Sequence, residues 1–479
     1  MITKSNFIDY CKCPKLYYLK KEKVIEVEER DADKINKDNG MLVGELARGY
    51  FGDYKLVQKD SLDKMVEQTD EFIKSSVETI CEASFIYKDL FCAVDILHKN
   101  EDGYDIYEVK STNELKEIHQ DDVSFQYYVL TNAGYNIKNV YVLMLNEDYI
   151  FNDKLDLQNY LIPVLVTPRE VKEEELDNIR KLNSEGPTVG CEECTKCSFF
   201  KYCYKHLPED NVFNLVKLQK KYDYYNHGII TYDQVLPELD EGKETHKKAK
   251  EQINYYQNDL GIKLEKGKVE EFLSNITYPI YYLDFETIRD VVPFINGTWP
   301  NFTRIVQYSL HVQESIDSEL KHYEYLQESK YDNIDEVVNR LINDLGTNGS
   351  IIVYSSFERG KIEALKELRP DKASELDVIL NRLVDLEIPF KNRNIYCKEM
   401  EGRSSIKKVL PALCKGFEKA YEELPLIHKG DGAMAGYLKL ISTKGQEHED
   451  LKYALLEYCK LDTLSMVKVS ERIYELVRD

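Results

Sequence analysis

Alternating and continuous apolar runs mark LFCAVDIL, YDIYEVKS and NVYVLMLN, all in the first two hundred residues, as β-strands. A second set, YPIYYLDFET, RIVQYSLHV and SIIVYSSF, starts near residue 276. The final segment, DLKYALLEYCKLDTLSMVKVSERIYELV, instead repeats its apolar positions at three-and-four spacing, as a helix does when one face packs on a sheet. Between them, charged and tyrosine-rich stretches such as LVKLQKKYDYYNHG and KETHKKAKEQINYYQNDL predict a helical connector. The pattern therefore predicts an α/β protein: one α/β unit over 1–207, a helical connector over 208–275 and a second α/β unit over 276–479.

The chain has 479 residues, 43% of them hydrophobic, enough to bury two or three cores. No stretch approaches the roughly 18 consecutive apolar residues of a membrane span, and MITKSNFIDYCKCPK has no apolar signal core. A cytoplasmic protein with no membrane contact is expected. A net charge of −22 argues against nonspecific coating of nucleic acid, which is driven by lysine and arginine. It does not exclude a nuclease, because carboxylates hold divalent cations and a groove can be locally basic. KCPKLYYLKKEK and IKKVLPALCKGFEK are candidate patches, although lysine runs are usually just solvated faces.

Asp95 ends the run FCAVD, and after the turn NEDG the chain returns as YDIYEVKS with Glu108 and Lys110. Strand alternation puts Glu108 and Lys110 on one face, and the turn can bring Asp95 beside them. Two carboxylates so placed can hold Mg²⁺ or Mn²⁺ while the lysine orients an attacking water. An exposed hairpin face carries E-x-K just as readily, so these three residues leave both readings open. The wider segment, ASFIYKDLFCAVDIL followed by IYEVKSTNELKEIHQDDVSFQYYVLTNAG, resembles the core of RecB-type PD-(D/E)xK nucleases. The resemblance implies Glu82, Asp95 and Glu108 as metal ligands, Lys110 as the catalytic lysine, and Gln126, with Tyr128 nearby, on the following helix. Where many members carry a histidine, in GMLVGELARGYF, this chain has Gly44 and Glu45.

Six cysteines fall in two groups, Cys11 and Cys13 in DYCKCPKLYYL and Cys191, Cys194, Cys197 and Cys203 in GCEECTKCSFFKYC. Clustered thiols in a reducing compartment point to metal rather than disulfides. Both an iron-sulfur cluster and structural zinc take four thiolates. A subset of RecB-type nucleases binds a 4Fe-4S cluster through one cysteine before the core and three after it. By that resemblance the ligands are Cys13, Cys194, Cys197 and Cys203, with Cys11 and Cys191 as possible substitutes. Cys81, Cys92, Cys397, Cys414 and Cys459 sit among apolar neighbours and are expected to fill cores.

IYYLDFETI places Asp284 and Glu286 two apart on a strand, a two-carboxylate metal seat. Tyr458 and Asp462, four apart on the final helix, share a face that can point back at that seat. These elements together resemble the DnaQ-like exonucleases of the DEDDy type within the RNase H-like fold. The resemblance implies Asp284, Glu286, Glu358 and Asp462 as metal ligands and Tyr458 as the residue that positions the water. Its second motif, N-x-x-F-D, corresponds to YSSFERG, with Ser355 for Asn and Glu358 for Asp. Asp385 is a further candidate acid. Ser404, Ser405, Lys407 and Lys408, in GRSSIKKVLPALCKGF, are candidate phosphate contacts.

LDFET, SIKKVLPAL and YCKLDT together resemble an uncharacterised bacterial family that fuses a RecB-like nuclease to an RNase H-like domain of unknown function. The resemblance covers nearly the whole chain. It implies a metal-dependent nuclease that hydrolyses phosphodiester bonds of DNA, in preference to RNA, at single strands or ends, with a 3′-to-5′ exonuclease in its second half. A protein partner in a repair or defence complex fits the same expectation. The rival is a nucleic-acid-binding scaffold with one or both sites inactive and cysteines holding structural zinc.

Overall fold

β-Branched and aromatic residues recur along the long strands, and polar turns separate them, so the chain is mixed α/β as its patterning requires. The computed structural model describes residues 1–27, 29–189 and 194–478. Contacts divide the chain into two units, the first comprising Met1–Val189, Cys197–Cys203 and Asp290–Phe302, the second Gly190–Lys196, Tyr204–Arg289 and Thr303–Asp479. The stretch 208–275 thus groups with the second unit.

The first unit is built on a seven-stranded sheet. Its strands are β1 (Ile2–Thr3), β2 (Lys55–Leu56), β3 (Thr79–Tyr87), β4 (Leu90–Asn100), β5 (Gly103–Lys110), β6 (Ile137–Leu145) and β7 (Leu161–Leu165). They run in the order β2-β3-β4-β5-β6-β7, with β1 pairing β4 off this path. β3, β4 and β5 form antiparallel neighbours, whereas β6 is parallel to β5 and is reached through helix α2 (Glu117–Asn132). α1 (Lys4–Lys12) follows β1 directly, and its Phe7 stacks on Phe125 of α2 at 5.0 Å between ring centroids. Both rings are fully buried in a core with Val94, Ile106, Val129 and Val142.

The second unit holds a two-stranded ribbon, β8 (Lys263–Leu264) with β14 (Ile395–Tyr396), and a five-stranded sheet. The sheet comprises β9 (Ile280–Asp290), β10 (Phe302–Gln313), β11 (Lys321–Leu326), β12 (Ser350–Val353) and β13 (Leu383–Asp385), in the order β11-β10-β9-β12-β13. β9, β12 and β13 are parallel, and β9 continues past the last partner pair, Tyr282 with Ile352. α3 (Phe357–Leu368) follows β12, and the 33-residue α5 (Gln446–Arg478) packs Met466, Val467, Val469 and Ile473 against Tyr282 and Ile352. Val409, Leu410 and Leu413 of α4 (Ile406–Leu413) join the same core. No helix among the described residues is long and apolar enough to cross a membrane.

Candidate metal sites

Residues 284 and 286 lie on β9 beyond the carboxyl end of β12, the side of a parallel sheet where ligands bind. Alternation points both side chains the same way, and Asp462 of α5 meets them. One carboxylate oxygen from each of Asp284, Glu286 and Asp462 lies within 4.8 Å of the others. No other set of three histidine, cysteine or acidic residues comes as close among the described residues. Burial, then the charges of Asp462, Glu358 and Glu286, raises Asp284 well above the carboxylate range. Burial and Asp462 do the same to Glu286. Burial also raises Asp462, while Lys407 and hydrogen bonds from Tyr421 and Tyr458 hold it down in part.

Glu358 arrives by a strained route. Ser355 has φ +96°, a conformation that costs a non-glycine residue about 1–3 kcal/mol. Its N–H donates to Asp385 Oδ1 at 2.9 Å, and its Oγ accepts from Phe357 N at 3.3 Å. This turn opens α3 with Glu358 in the first helical turn, buried. Burial, with Asp385 and Asp462 nearby, pushes Glu358 up to about 8, and its Oε2 is buried without a hydrogen-bond partner among the described residues. An orphaned buried acceptor beside three crowded carboxylates is the donor set a hard divalent cation needs.

Tyr458 Oη accepts from Lys407 Nζ at 2.6 Å, and Tyr421 Oη donates to Asp462 Oδ1 at 2.6 Å. The Lys407 ammonium lies 4.7 Å from the Tyr458 ring centre and 4.9 Å from that of Tyr421, so two aromatic faces pin it. Cys459, a residue expected only to fill a core, donates from Sγ to Asp284 Oδ2 at 3.6 Å. Of the other candidate phosphate contacts, Ser404 donates to Glu387 at 2.7 Å and Lys408 to Glu401 at 2.6 Å. Ser405 caps α4.

In the first unit, the register that pairs Ile96 with Tyr107 sets Asp95 across from Glu108. Asp95 Oδ2 accepts from Val109 N at 2.7 Å. Glu108 is buried and accepts from Lys110 at 2.7 Å, from Gln126 Nε2 at 2.6 Å, and from Lys4 Nζ at 2.9 and 3.0 Å. Lys110 also reaches Asp122 at 2.5 Å. Burial would raise Glu108, but Lys110 and Lys4 prevail and hold it well below the usual range. Burial and the Glu108 charge push Asp95 up to about 7.

Asp95, Glu108, Lys110 and Gln126 therefore come together, and Glu82, between the pairs Cys81–Ile96 and Ala83–Val94, stands across from Asp95 on β3. Its backbone is left-handed at φ +57°, and its carboxylate turns to Arg48 at 3.5 Å. Tyr128 bonds Glu173 at 2.8 Å, and Glu45 is exposed. Lys4 and Asp122 carry no signal in the sequence read alone, although Asp122 stands four residues before Gln126 on α2 and so shares its face.

Cys11, Cys13, Cys197 and Cys203 are free thiols, and the Cys203 thiol is raised by burial and by its neighbours Cys197 and Cys13. Cys11 turns elsewhere: Arg169 donates to its sulfur at 3.5 Å, and burial pushes it up to about 12. Cys194 heads the turn Cys194–Lys196 with its sulfur in a disulfide, and Cys191 lies outside the described residues. Cys81, Cys92, Cys397 and Cys414 are buried, as expected of core residues.

Residues 281–405, which carry Asp284, Glu286, Glu358 and Asp385, match a family described as a domain of unknown function, DUF2779. The chain is similar to an uncharacterised protein of Mycoplasma genitalium, 28% identical over 54% of this chain and 42% of the relative. It is also similar to a homologue of that protein in Mycoplasma pneumoniae, at 27% identity over 58% of this chain and 46% of the relative. An uncharacterised protein of Ureaplasma parvum is 25% identical over 47% of this chain and 35% of its own length. The chain spans less than half the length of these curated relatives. No solved structure matches it.

Proposed function

We propose that this chain is a metal-dependent nuclease that hydrolyses phosphodiester bonds of DNA at single strands or ends. In this reading a PD-(D/E)xK-like site lies in its first half and an RNase H-like, 3′-to-5′ exonuclease site in its second. The observation that carries it is the group Asp284, Glu286 and Asp462, within 4.8 Å of one another, beside the unpartnered Glu358 Oε2. Crowded carboxylates repel one another once ionised, and a divalent cation offsets that repulsion where shared protons and the Lys407 ammonium otherwise must. Mg²⁺ or Mn²⁺ held there would supply an activated water and stabilise the leaving oxygen. Tyr458 then orients that water while Lys407 fixes the phenol by its 2.6 Å hydrogen bond. In the first half Asp95 and Glu108 would hold such an ion once a donor on Glu108 is displaced, Lys110 would position the nucleophile, and Gln126 fixes Glu108.

The cysteines are given a structural role. Cys13, Cys197 and Cys203, joined by Cys194 once its disulfide is reduced, bind a 4Fe-4S cluster. Purification under reducing, anaerobic conditions yields a brown protein with broad visible absorbance; zinc without iron would overturn this part.

The test of activity is release of nucleotides from labelled single-stranded DNA and RNA with Mg²⁺ or Mn²⁺, by wild type, Lys110→Ala and Asp284→Ala. Each substitution removes a distinct part of the activity. Equal, metal-independent background in all three refutes the proposal. A second reading, that the first half is a scaffold, is favoured by the full set of donors on Glu108. Under it Lys110→Ala leaves cleavage unchanged.

A further inference from the structure

Lys4 is a side-chain donor at the first site for which the nuclease reading has no use. It is firmly placed. Ile2 and Thr3 pair with Leu90 and Phe91, Thr3 Oγ1 caps the start of α1 by accepting from Asn6 N at 3.2 Å, and Phe7 stacks on Phe125. From this anchor the Lys4 ammonium reaches both Glu108 oxygens, at 2.9 and 3.0 Å, and Asp122 Oδ1 at 3.3 Å.

With Lys110 on Oε1 and Gln126 on Oε2, each oxygen of Glu108 accepts two hydrogen bonds. A carboxylate offers about four lone-pair directions, and here all are taken. A cation ligated by Glu108 must displace one of these donors. Gln126 is buried and lies 2.6 Å from Glu108, and Lys110 is held at 2.7 Å to Glu108 and 2.5 Å to Asp122. Lys4 makes longer ones, 2.9 and 3.0 Å to Glu108 and 3.3 Å to Asp122, on a flexible stem as exposed as that of Lys110.

The balance of charge points the same way. With every carboxyl ionised, as a bound divalent ion would leave them, the first site sets three carboxylates, Asp95, Glu108 and Asp122, against the ammonium groups of Lys4 and Lys110, a net of one negative charge. A divalent ion turns this into one positive charge, which a phosphodiester cancels. At the second site, counted the same way, four carboxylates face the one ammonium of Lys407 among the described residues, so a divalent ion is balanced there without substrate.

We propose that Lys4 is a built-in counter-cation of the first site. It occupies Glu108 and Asp122 until a phosphodiester enters, then moves onto a non-bridging phosphate oxygen and yields its place to the divalent ion. The inference rests on the nuclease reading of the first half and adds an order to it. Metal and substrate enter the first site together, whereas the second site takes its metal alone.

The experiment is Mn²⁺ titration of the full chain, followed by the electron paramagnetic resonance of free Mn²⁺, in an Asp284→Asn/Asp462→Asn background that silences the second site. In that background Lys4→Met tightens Mn²⁺ binding by about tenfold or more, because a unit positive charge beside the ion is gone. Adding Glu108→Gln abolishes the gain, and Lys4→Arg behaves as the parent. A single-stranded phosphorothioate oligonucleotide tightens Mn²⁺ binding with Lys4 present and much less with Lys4→Met. Should Lys4→Met lose its cooperative thermal transition, Lys4→Gln is read in its place. Mn²⁺ affinity unchanged or weakened by the loss of Lys4 overturns this inference and leaves the nuclease reading to the cleavage assay. No Mn²⁺ at the first site in any variant overturns both.

Discussion

Asp284→Asn removes one charge from a group of three whose oxygens lie within 4.8 Å. Two unit charges at that distance repel by about 3.5 kcal/mol at an effective dielectric constant of about 20. Asp284 has two such neighbours, but the raised pKa values of Asp284 and Glu286 mean that the metal-free site already shares protons, so only part of the repulsion is present near neutral pH. The relief is then about 1–3 kcal/mol, or about 3–10 °C in the transition of a unit of some 200 residues. The pH dependence has a definite sign. Carboxyls raised on folding bind more protons in the native state between their unfolded value near 4 and their folded value, so stability falls as pH rises through that window. Glu358, pushed up to about 8, extends the window above neutrality. Scanning calorimetry in chelator shows wild type less stable at about pH 8 than at about pH 6, and Asp284→Asn more stable than wild type at the higher pH with a smaller difference between the two. Millimolar Mn²⁺ then raises wild type strongly and the variant little. A variant that melts below wild type in chelator, or gains equally from Mn²⁺, shows that these carboxylates are not a repulsive metal seat.

Tyr458→Phe keeps the Mn²⁺-induced rise in melting temperature but slows nucleotide release by roughly ten- to a hundredfold, since it removes an orienting hydroxyl and no ligand. Phe125→Ala, at a fully buried ring stacked on Phe7, lowers stability in urea by about 3–5 kcal/mol. Cys203→Ser abolishes the visible absorbance of anaerobically purified protein and Cys11→Ser leaves it intact, because Cys11 faces Arg169 and not the other thiols. Lys110→Ala costs about 1–3 kcal/mol in denaturant titrations, less than a buried pair broken outright, because Lys4 remains on both carboxylates.

Two elements show how far local pattern reached. Asp284 and Glu286 were legible because a strand repeats every two residues, so D-x-E fixes a shared face wherever the strand lies. Tyr458 and Asp462 were legible for the same reason on a helix. Glu82 shows the limit: its left-handed φ turns the side chain to Arg48, and no spacing reports a local backbone excursion. Cys459 looked like four other core cysteines and stands against Asp284 because the residue between Tyr458 and Asp462 on the buried side must face the same strand.

By itself the sequence determined the α/β class, the strands and final helix that carry the acids, and the pairs of residues on each face, all consequences of periodicities of two and 3.6. Only the tertiary structure decided which faces meet. Lys4 reaches Glu108 across 104 residues and Lys407 reaches Tyr458 across 51, separations at which no local pattern survives. Those contacts exist because sheet register and core packing bring distant segments together. They set the charge around each group of carboxylates, which no periodicity along the chain can report.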